Sequence, residues 1–492
     1  MQTETSGDNL EQQKPEPTLK EKTAKGLFWG GVGNAAQQIF SLVIGIILLR
    51  LLNREDYGMI GMLAIFTAIA LSIQDSGFST ALINRQDNRH EDYNAVFWFN
   101  VLSSIVMYII LFFSAPLIAK FYDKPELIHL SRILFLGFLF GGIGVVHSAI
   151  LYKYLMVKER TKIDLVSLII SSITGTALAF LGFAYWGLAV QTVTYIATGT
   201  VLRWYYSPWR PTWEFDFKPL KGMFSFSFKL FLTNIFMQIA NNIFSVLLGK
   251  FYGDKRVGDY SQGNKWMIMG HSFIAGMINS VAHPIMAQVT GDSERLRKVF
   301  HKMLRFGAFV SFPLMFGLAF VGREFILITG GEKWLPSVPF LQLFCIWGAI
   351  RFIWILYMDV LMSYEKSDIY MWGIILTSTL QLIAIFVMFP WGIFPAIIVY
   401  IILSVAGILF WHCFVHKLIK LRLRDVIKDV FPYVSIAILS ITVTWAITKG
   451  LENIYILFIS KITGVALLYT GTLWITNSTI LRESVSYLKR KI

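Results

Sequence analysis

Three basic side chains lie inside long apolar runs of this 492-residue sequence. Arg351 falls near the middle of its run, Lys229 in the inner part of another, and Lys265 in the outer part of a third. An Arg or Lys at the centre of a bilayer costs about 2.5–3.5 kcal/mol unless it faces water or a partner. We therefore predict that these three side chains line a cationic lumen. The sequence leaves one alternative open, which is salt bridges to Asp75 or Asp359, the carboxylates set furthest inside such runs.

Amide side chains form stripes along two of these runs. Their spacing of three, four and seven residues places them on one face of a helix. Such a stripe either lines a wet cavity or forms hydrogen bonds between helices, each worth about 0.6 kcal/mol. We predict cavity lining and leave the structural alternative open. The predicted binding residues are Asn34, Gln38, Asn234, Gln238 and Asn242.

Catalytic and metal sites are not expected. His147, His271 and His283 have no carboxylate or thiol at the spacing of metal ligands. Cys345 and Cys413 lie far apart in apolar runs, so no disulfide framework is predicted. No Walker motif is present, and the loops on one side are too short for the acidic residues of a membrane glycosyltransferase. The sequence predicts a transporter rather than an enzyme, without a metal site.

The elements that must carry these residues are membrane-spanning helices. The chain is 55% hydrophobic and 15% charged, whereas a soluble domain carries about 25% charged residues. Apolar runs of about 20 residues recur from Gly26 to Thr476, which predicts about fourteen transmembrane helices in an all-α fold. The net charge of +14 comes from Lys and Arg near the ends of these runs, which argues against a nucleic-acid partner.

The same charges predict the orientation in the membrane. Assigned alternately to the two sides, Lys and Arg favour the side of the N-terminus by about three to one, which predicts that both termini are cytoplasmic. Short polar segments separate the runs. Gly253-Asp254-Lys255 divides the seventh run, 222–250, from the eighth, 257–287. We interpret Glu55-Asp56, after the first run, as a solvated turn.

An internal repeat is indicated when the first run is laid on the seventh. Asn34 then pairs with Asn234 and Gln38 with Gln238. The next run begins with a looser match, Asp56-Tyr57-Gly58 against Asp259-Tyr260-Ser261. Two parallel six-helix lobes are therefore expected. The predicted domains are a disordered cytoplasmic tail at 1–25, an N-terminal lobe at 26–205, a cytoplasmic linker at 206–221, a C-terminal lobe at 222–414, two additional helices at 430–476 and a basic cytoplasmic tail at 477–492.

Three segments resemble a known family: Lys25 to Trp29, Leu49 to Gly58, and Asp75 to Ile83. They are similar to polysaccharide exporters of the multidrug/oligosaccharidyl-lipid/polysaccharide flippase superfamily, in the Wzx branch that includes the colanic acid exporter. The resemblance implies two lobes around a central cavity, alternating access by rocking of the lobes, and a place in the bacterial inner membrane.

The resemblance also implies a cargo, an oligosaccharide repeat unit on undecaprenyl pyrophosphate, whose phosphates the predicted basic residues would meet. The implied partners are this lipid-linked oligosaccharide, membrane lipids and the polysaccharide polymerase machinery. Relatives imply coupling to H⁺ or Na⁺ and no other cofactor, but the sequence shows no specific ion site. Asp75 and Asp359 are the candidates either for this coupling or for pairing with the basic residues. Two alternatives stay open: an ion-coupled multidrug or cation antiporter of the same superfamily, and a non-catalytic assembly subunit of a polysaccharide machine.

Overall fold

The computed structural model describes residues 19–75, 77–85, 87–279, 286, 292–364, 366–476, 478 and 480–482, with side chains from residue 33 except 74, 75, 226 and 279. The described residues form helices and no strand, as a chain in hydrocarbon must unless it closes a barrel, because a helix satisfies its own backbone polar groups. The helices are α1 Leu19–Leu51, α2 Arg54–Asp75, α3 Phe78–Asn84, α4 His90–Tyr122, α5 Leu127–Lys153, α6 Val157–Phe180, α7 Tyr185–Tyr206, α8 Lys218–Asn279, α9 Ser293–Phe320, α10 Gly322–Gly330, α11 Val338–Ser363, α12 Ser367–Met388, α13 Ile393–Ile419, α14 Leu423–Thr448 and α15 Ile454–Ile475, with 3₁₀ turns at Glu332–Ser337 and Phe389–Trp391.

Twelve helices in the described part of the chain are long and apolar enough to cross a membrane. The predicted all-α polytopic membrane fold is thereby confirmed. α7 is not among the twelve, and α8 is counted once although it is far longer than one bilayer requires. The count of fourteen and the cytoplasmic placement of both termini stay predictions. α1 begins at Leu19, inside the segment predicted as a tail.

The long helix α8 reverses its direction at Gly253. This glycine has φ 79° and ψ 177°, a backbone conformation that residues with a side chain rarely adopt. The rings of Phe244 and Tyr260 lie 5.9 Å apart, whereas a straight helix would separate these positions by about 24 Å. α8 is therefore two antiparallel arms, 218–252 and 254–279. The separator predicted at Gly253-Asp254-Lys255 is confirmed.

The helices fall before and after the irregular segment between α7 and α8. We call α1–α7 the first helix group and α8–α15 the second. Their most extensive contact is between α2 and α8, and we call it the seam. Backbones approach closely there because glycines face the opposite helix: Gly58 lies against the carbonyl of Asp254, and Gly258 against that of Arg54.

Candidate functional site

Arg351 faces a cavity of about 110 Å³ within the second helix group. The first arm of α8 contributes Asn241, α11 contributes Arg351, α12 contributes Gln381, and α13 contributes Tyr400 and Ser404. Gln381 Nε2 donates a hydrogen bond to Ser404 Oγ over 3.1 Å. In the part of the chain that the structure describes, Arg351 has no ion pair, and the Tyr400 hydroxyl is near enough to interact with it electrostatically. The cavity therefore presents an arginine among amides and hydroxyls.

Lys265 lies at the seam, where the second arm of α8 meets α1 and α2. Its Nζ is 5.5 Å from the centre of the Tyr57 ring and 5.7 Å from that of Trp266. The same atom is 3.6 Å from the position of a Cβ built on Gly45. Aromatic faces stabilise a cation by about 0.5–2 kcal/mol. Within the described residues these rings, and no carboxylate, accompany the ammonium group, so Lys265 is a positive charge between the two helix groups.

Lys229 has a different environment. Its Nζ is 2.7 Å from Asp368 Oδ1, and both side chains are largely exposed, 46% and 69%. Neither Lys229 nor Lys265 lines the cavity of Arg351. The structure thus does not bring the three predicted basic residues into one cavity, and Lys229 forms a surface ion pair instead.

Of the two carboxylates predicted to act in coupling, the structure describes the side chain of only one. Asp75 is the last residue of α2, and its side chain lies outside the described residues. Asp359 lies on α11, in the described part of the chain. Their role in ion coupling stays a prediction. In the described part of the chain, no group of three or more His, Cys, Asp or Glu side chains could hold a metal ion.

The five predicted amides differ in how far they are exposed. Asn34 is exposed, whereas Gln38, Asn234 and Gln238 are partly exposed. Asn242 Nδ2 donates to the carbonyl of Gln238, one turn earlier in its own helix, over 2.9 Å.

Their neighbours show both outcomes. Gln37 hydrogen-bonds Asp164 on α6 and so joins two helices. Asn241, by contrast, lines the cavity of Arg351. The predicted binding role of the five amides stays a prediction.

Four ion pairs between described residues join the two helix groups, all at the end of the bundle where α1 ends and α2 begins. We call these four pairs the seal: Arg54–Asp259, Lys124–Asp254, Lys250–Asp123 and Lys255–Glu55, with N to O distances of 2.5, 2.6, 3.1 and 3.1 Å. The Arg54 guanidinium donates to both oxygens of Asp259, whose side chain is fully buried. Such bidentate pairs are among the strongest polar contacts in proteins. In the loop before α5, the hydrogen bond from Lys124 to Asp254 raises the pKa of Lys124.

Hydrogen bonds from the second helix group to backbone carbonyls at the end of α1 reinforce the seal. Lys333 donates to the carbonyls of Arg50 and Leu52 over 2.9 and 2.8 Å. Trp334 Nε1 donates to the carbonyl of Leu49 over 2.8 Å. These bonds satisfy carbonyls at the C-terminus of α1, which no residue of that helix can satisfy. The two groups are therefore closed against each other at this end.

The opposite end of the seam is apolar. Gly77, with φ 72°, packs against Ser227, so that a Cβ there would lie 2.7 Å from the carbonyl oxygen of Ser227. Phe78 and Leu82 belong to the same hydrophobic cluster as Leu220 of α8. Among the described residues, no ion pair joins the two groups at this end.

The seal was not among the features predicted from the sequence. The solvated-turn interpretation is wrong for Asp56, which is buried and accepts a 2.8 Å hydrogen bond from the backbone N–H of Asn53. Glu55 pairs with Lys255. The one signal was the repeat match of 56–58 with 259–261, because these two segments begin the helices that meet at the seal.

The chain resembles proteins of polysaccharide synthesis over most of its length. A family model described as "Polysaccharide biosynthesis protein" matches residues 47–339. Teichuronic acid biosynthesis protein TuaB of Bacillus subtilis (strain 168) is 28% identical over 431 residues, 86% of this chain and 89% of TuaB. Lipopolysaccharide biosynthesis protein WzxC of Escherichia coli (strain K12) is 26% identical over 360 residues, 72% of each chain.

A solved structure shows the same fold. The lipid II flippase MurJ in an inward closed conformation matches with a TM-score of 0.72 and 14% identity, over 93% of this chain and 99% of MurJ. The predicted likeness to Wzx-type polysaccharide exporters is confirmed by these matches. The extent of the family match, more than half of the chain, shows that this multi-pass membrane protein belongs to the polysaccharide biosynthesis protein family.

Proposed function

We propose that this protein is a flippase of the bacterial inner membrane. It accepts an oligosaccharide repeat unit linked to undecaprenyl pyrophosphate in the cytoplasmic leaflet and delivers it to the outer leaflet for surface polysaccharide synthesis. The family and the fold shared with a lipid II flippase support this proposal.

The environment of the Lys265 ammonium group is the observation that supports the proposal most strongly. A partly buried ammonium group between two helix groups, held by aromatic rings rather than by a carboxylate, is costly unless an anion joins it. A pyrophosphate supplies that anion with several acceptor oxygens. Arg351, which also lacks an ion pair among the described residues, would provide a second contact inside the second helix group. Lys229, already paired with Asp368, is a weaker candidate.

Movement of the cargo would follow from opening of the seal. With the predicted orientation, the seal lies at the extracytoplasmic end of the seam, so the present arrangement is closed toward the outside. Release of the headgroup on that side requires Arg54 to separate from Asp259. Coupling of this step to H⁺ or Na⁺, and an association with polysaccharide polymerase, stay predictions.

The test is complementation of a gene deletion in a polysaccharide-producing host with wild type, Lys265→Ala, Arg351→Ala or Lys162→Gln. Lys162 is exposed and serves as the matched loss of one charge. The deletion should accumulate lipid-linked repeat units in the cytoplasmic leaflet, and wild type and Lys162→Gln should clear them. Loss of a charge-assisted contact worth about 1.5–3 kcal/mol predicts at least about a tenfold fall in surface polymer for Lys265→Ala at equal protein abundance.

Two results would contradict parts of the proposal. Normal surface polymer in the deletion, without accumulation, would reject the flippase and favour the drug antiporter. Accumulation that both alanine variants clear as fast as wild type would keep the flippase and reject the basic binding site.

A further inference from the structure

The connecting segment between the two helix groups, residues 207–217, forms no helix and is held against α4 by side-chain hydrogen bonds. The buried Asn94 donates to the carbonyl of Glu214 over 2.7 Å and accepts from the backbone N–H of Thr212 over 3.0 Å. Trp98 Nε1 donates to the carbonyl of Thr212 over 2.7 Å. These bonds fix the connecting segment to the first helix group.

Two aromatic side chains of the connecting segment stack on Trp98 and remain exposed. The ring centres of Trp213 and Phe215 lie 5.1 and 4.6 Å from that of Trp98, yet the two residues are 82% and 56% exposed. Glu214, between them, is also exposed. Successive side chains of an extended chain point to opposite sides, so Glu214 faces away from the Trp98 ring. The segment therefore has an apolar side and a charged side.

The position of Trp98 along α4 relates the apolar side to the bilayer. α4 is one of the helices long and apolar enough to cross a membrane. Its exposed large apolar side chains begin at Leu102 and end at Phe121. This distance is about 28 Å at 1.5 Å per residue, which matches a hydrocarbon thickness of about 30 Å. Trp98 lies one turn before Leu102, at the boundary between acyl chains and headgroups, the depth at which Trp side chains are enriched.

We propose that the connecting segment is a membrane anchor whose Trp213 and Phe215 insert into the headgroup boundary of the leaflet in which α4 begins. By the predicted orientation this is the cytoplasmic leaflet. The bilayer is the partner because the two rings continue the lipid-facing surface of α4 through Trp98.

The charges of the connecting segment favour apolar insertion over attraction to anionic lipid. Arg210, Glu214 and Asp216 nearly cancel one another, so burial of the aromatic rings has to supply the binding energy. The linker predicted at 206–221 would thus lie partly in the bilayer and fix the depth of the first helix group. This anchor is independent of the proposed flippase activity.

Site-directed spin labelling of the full chain in phosphatidylcholine proteoliposomes tests the anchor. Single cysteines are introduced as Trp213→Cys, as Phe215→Cys, which keeps the Trp213 ring, and as Glu214→Cys, the matched control on the charged side. All carry Cys413→Ser, and the remaining Cys345 is buried.

Two further labels calibrate the depth. Phe113→Cys lies among the lipid-facing side chains of α4, and Ser293→Cys lies at the exposed start of α9, on the predicted cytoplasmic side. Collisions of each label with oxygen, which partitions into hydrocarbon, are compared with collisions with a water-soluble nickel chelate.

The ratio of oxygen to nickel collisions should be severalfold higher at positions 213 and 215 than at position 214, and should fall between the values at 113 and 293. Added phosphatidylglycerol should leave it unchanged. A ratio at 213 or 215 no higher than at 214 would place the segment in water and overturn the proposal. Few collisions with either reagent, increasing on dilution in lipid, would mean that a second copy covers the rings. A ratio that rises only with phosphatidylglycerol would reject apolar insertion.

Discussion

Different kinds of interaction hold the two ends of the seam together. At the seal, Arg54 and the fully buried Asp259 form a bidentate pair surrounded by three further ion pairs. At the opposite end, Gly77 fits against Ser227 beside apolar side chains. Charge pairs specify one register and can be replaced by water, whereas apolar contacts tolerate sliding. In the proposed transport cycle, the seal would be the end that opens and the apolar end would be the pivot.

The largest effect is expected when the buried pair is broken. Arg54→Ala leaves the buried Asp259 with only the longer contact to Arg256, whose Nη1 is 3.7 Å from Oδ2, and should cost up to about 3–5 kcal/mol. Thermal unfolding in detergent measures the loss. The double variant Arg54→Ala with Asp259→Asn should recover much of it, because no buried charge then remains unpaired. A single variant as stable as wild type would show that this pair does not hold the seal.

A smaller effect is expected at the apolar end. Gly77→Ala places a Cβ 2.7 Å from the Ser227 carbonyl oxygen and strains a residue with φ 72°. Gly182→Ala is the matched control, because Gly182 has φ 84° and open space around it. Gly77→Ala should destabilise the protein by about 1–3 kcal/mol more than the control. Equal losses would mean that the close contact with Ser227 contributes nothing.

The smallest effect should come from the exposed rim of the seal. Lys255 and Glu55 are 62% and 43% exposed, so Lys255→Gln should cost less than about 1 kcal/mol. The loss should also shrink as salt is raised. Thermal unfolding at low and high ionic strength measures both. A loss as large as that of Arg54→Ala would remove the distinction between the core and the rim of the seal.

Much of the fold followed from sequence because the bilayer imposes length and apolarity on each helix. The turn at Gly253 could be predicted from a glycine beside charged residues, and it has the positive φ that glycine allows. The pairing of charges could not be predicted in the same way. Lys229 was predicted to line the lumen, and its ion-pair partner, Asp368, could not be identified because it is 139 residues away in the sequence. Arg54 and Asp259 are 205 residues apart, and only packing brings them together.

The repeat carried more information than the individual polar residues did. Asp56-Tyr57-Gly58 and Asp259-Tyr260-Ser261 looked like a weak match, yet both segments contribute to the place where the helix groups meet. Asp259, the buried acid of the segment 259–261, is neutralised by Arg54, which lies two residues before the matching segment 56–58. The match between the two segments indicated an internal repeat. It could not predict the ion pair between Arg54 and Asp259, because that contact depends on how the two helix groups pack together.

A reversible disulfide across the seam tests whether the two helix groups must separate during transport. A Cβ on Gly61 would lie 3.9 Å from the Cβ of Ser261, within the range that a disulfide requires. Gly61→Cys with Ser261→Cys is therefore made with Val257→Ala, which removes the methyl group facing Gly61, and with Cys413→Ser, which removes the exposed native thiol. The matched control is Gly464→Cys with Thr444→Cys, also with Cys413→Ser. Its Cβ atoms would lie 3.6 Å apart within the second helix group.

Transfer of a lipid-linked oligosaccharide is then measured in proteoliposomes under oxidising and reducing conditions. Oxidation should stop transfer in the seam variant and reduction should restore it, whereas the control should transfer cargo in both states. Undiminished transfer through a fully cross-linked seam would contradict the claim that this protein moves its cargo by opening between the two helix groups.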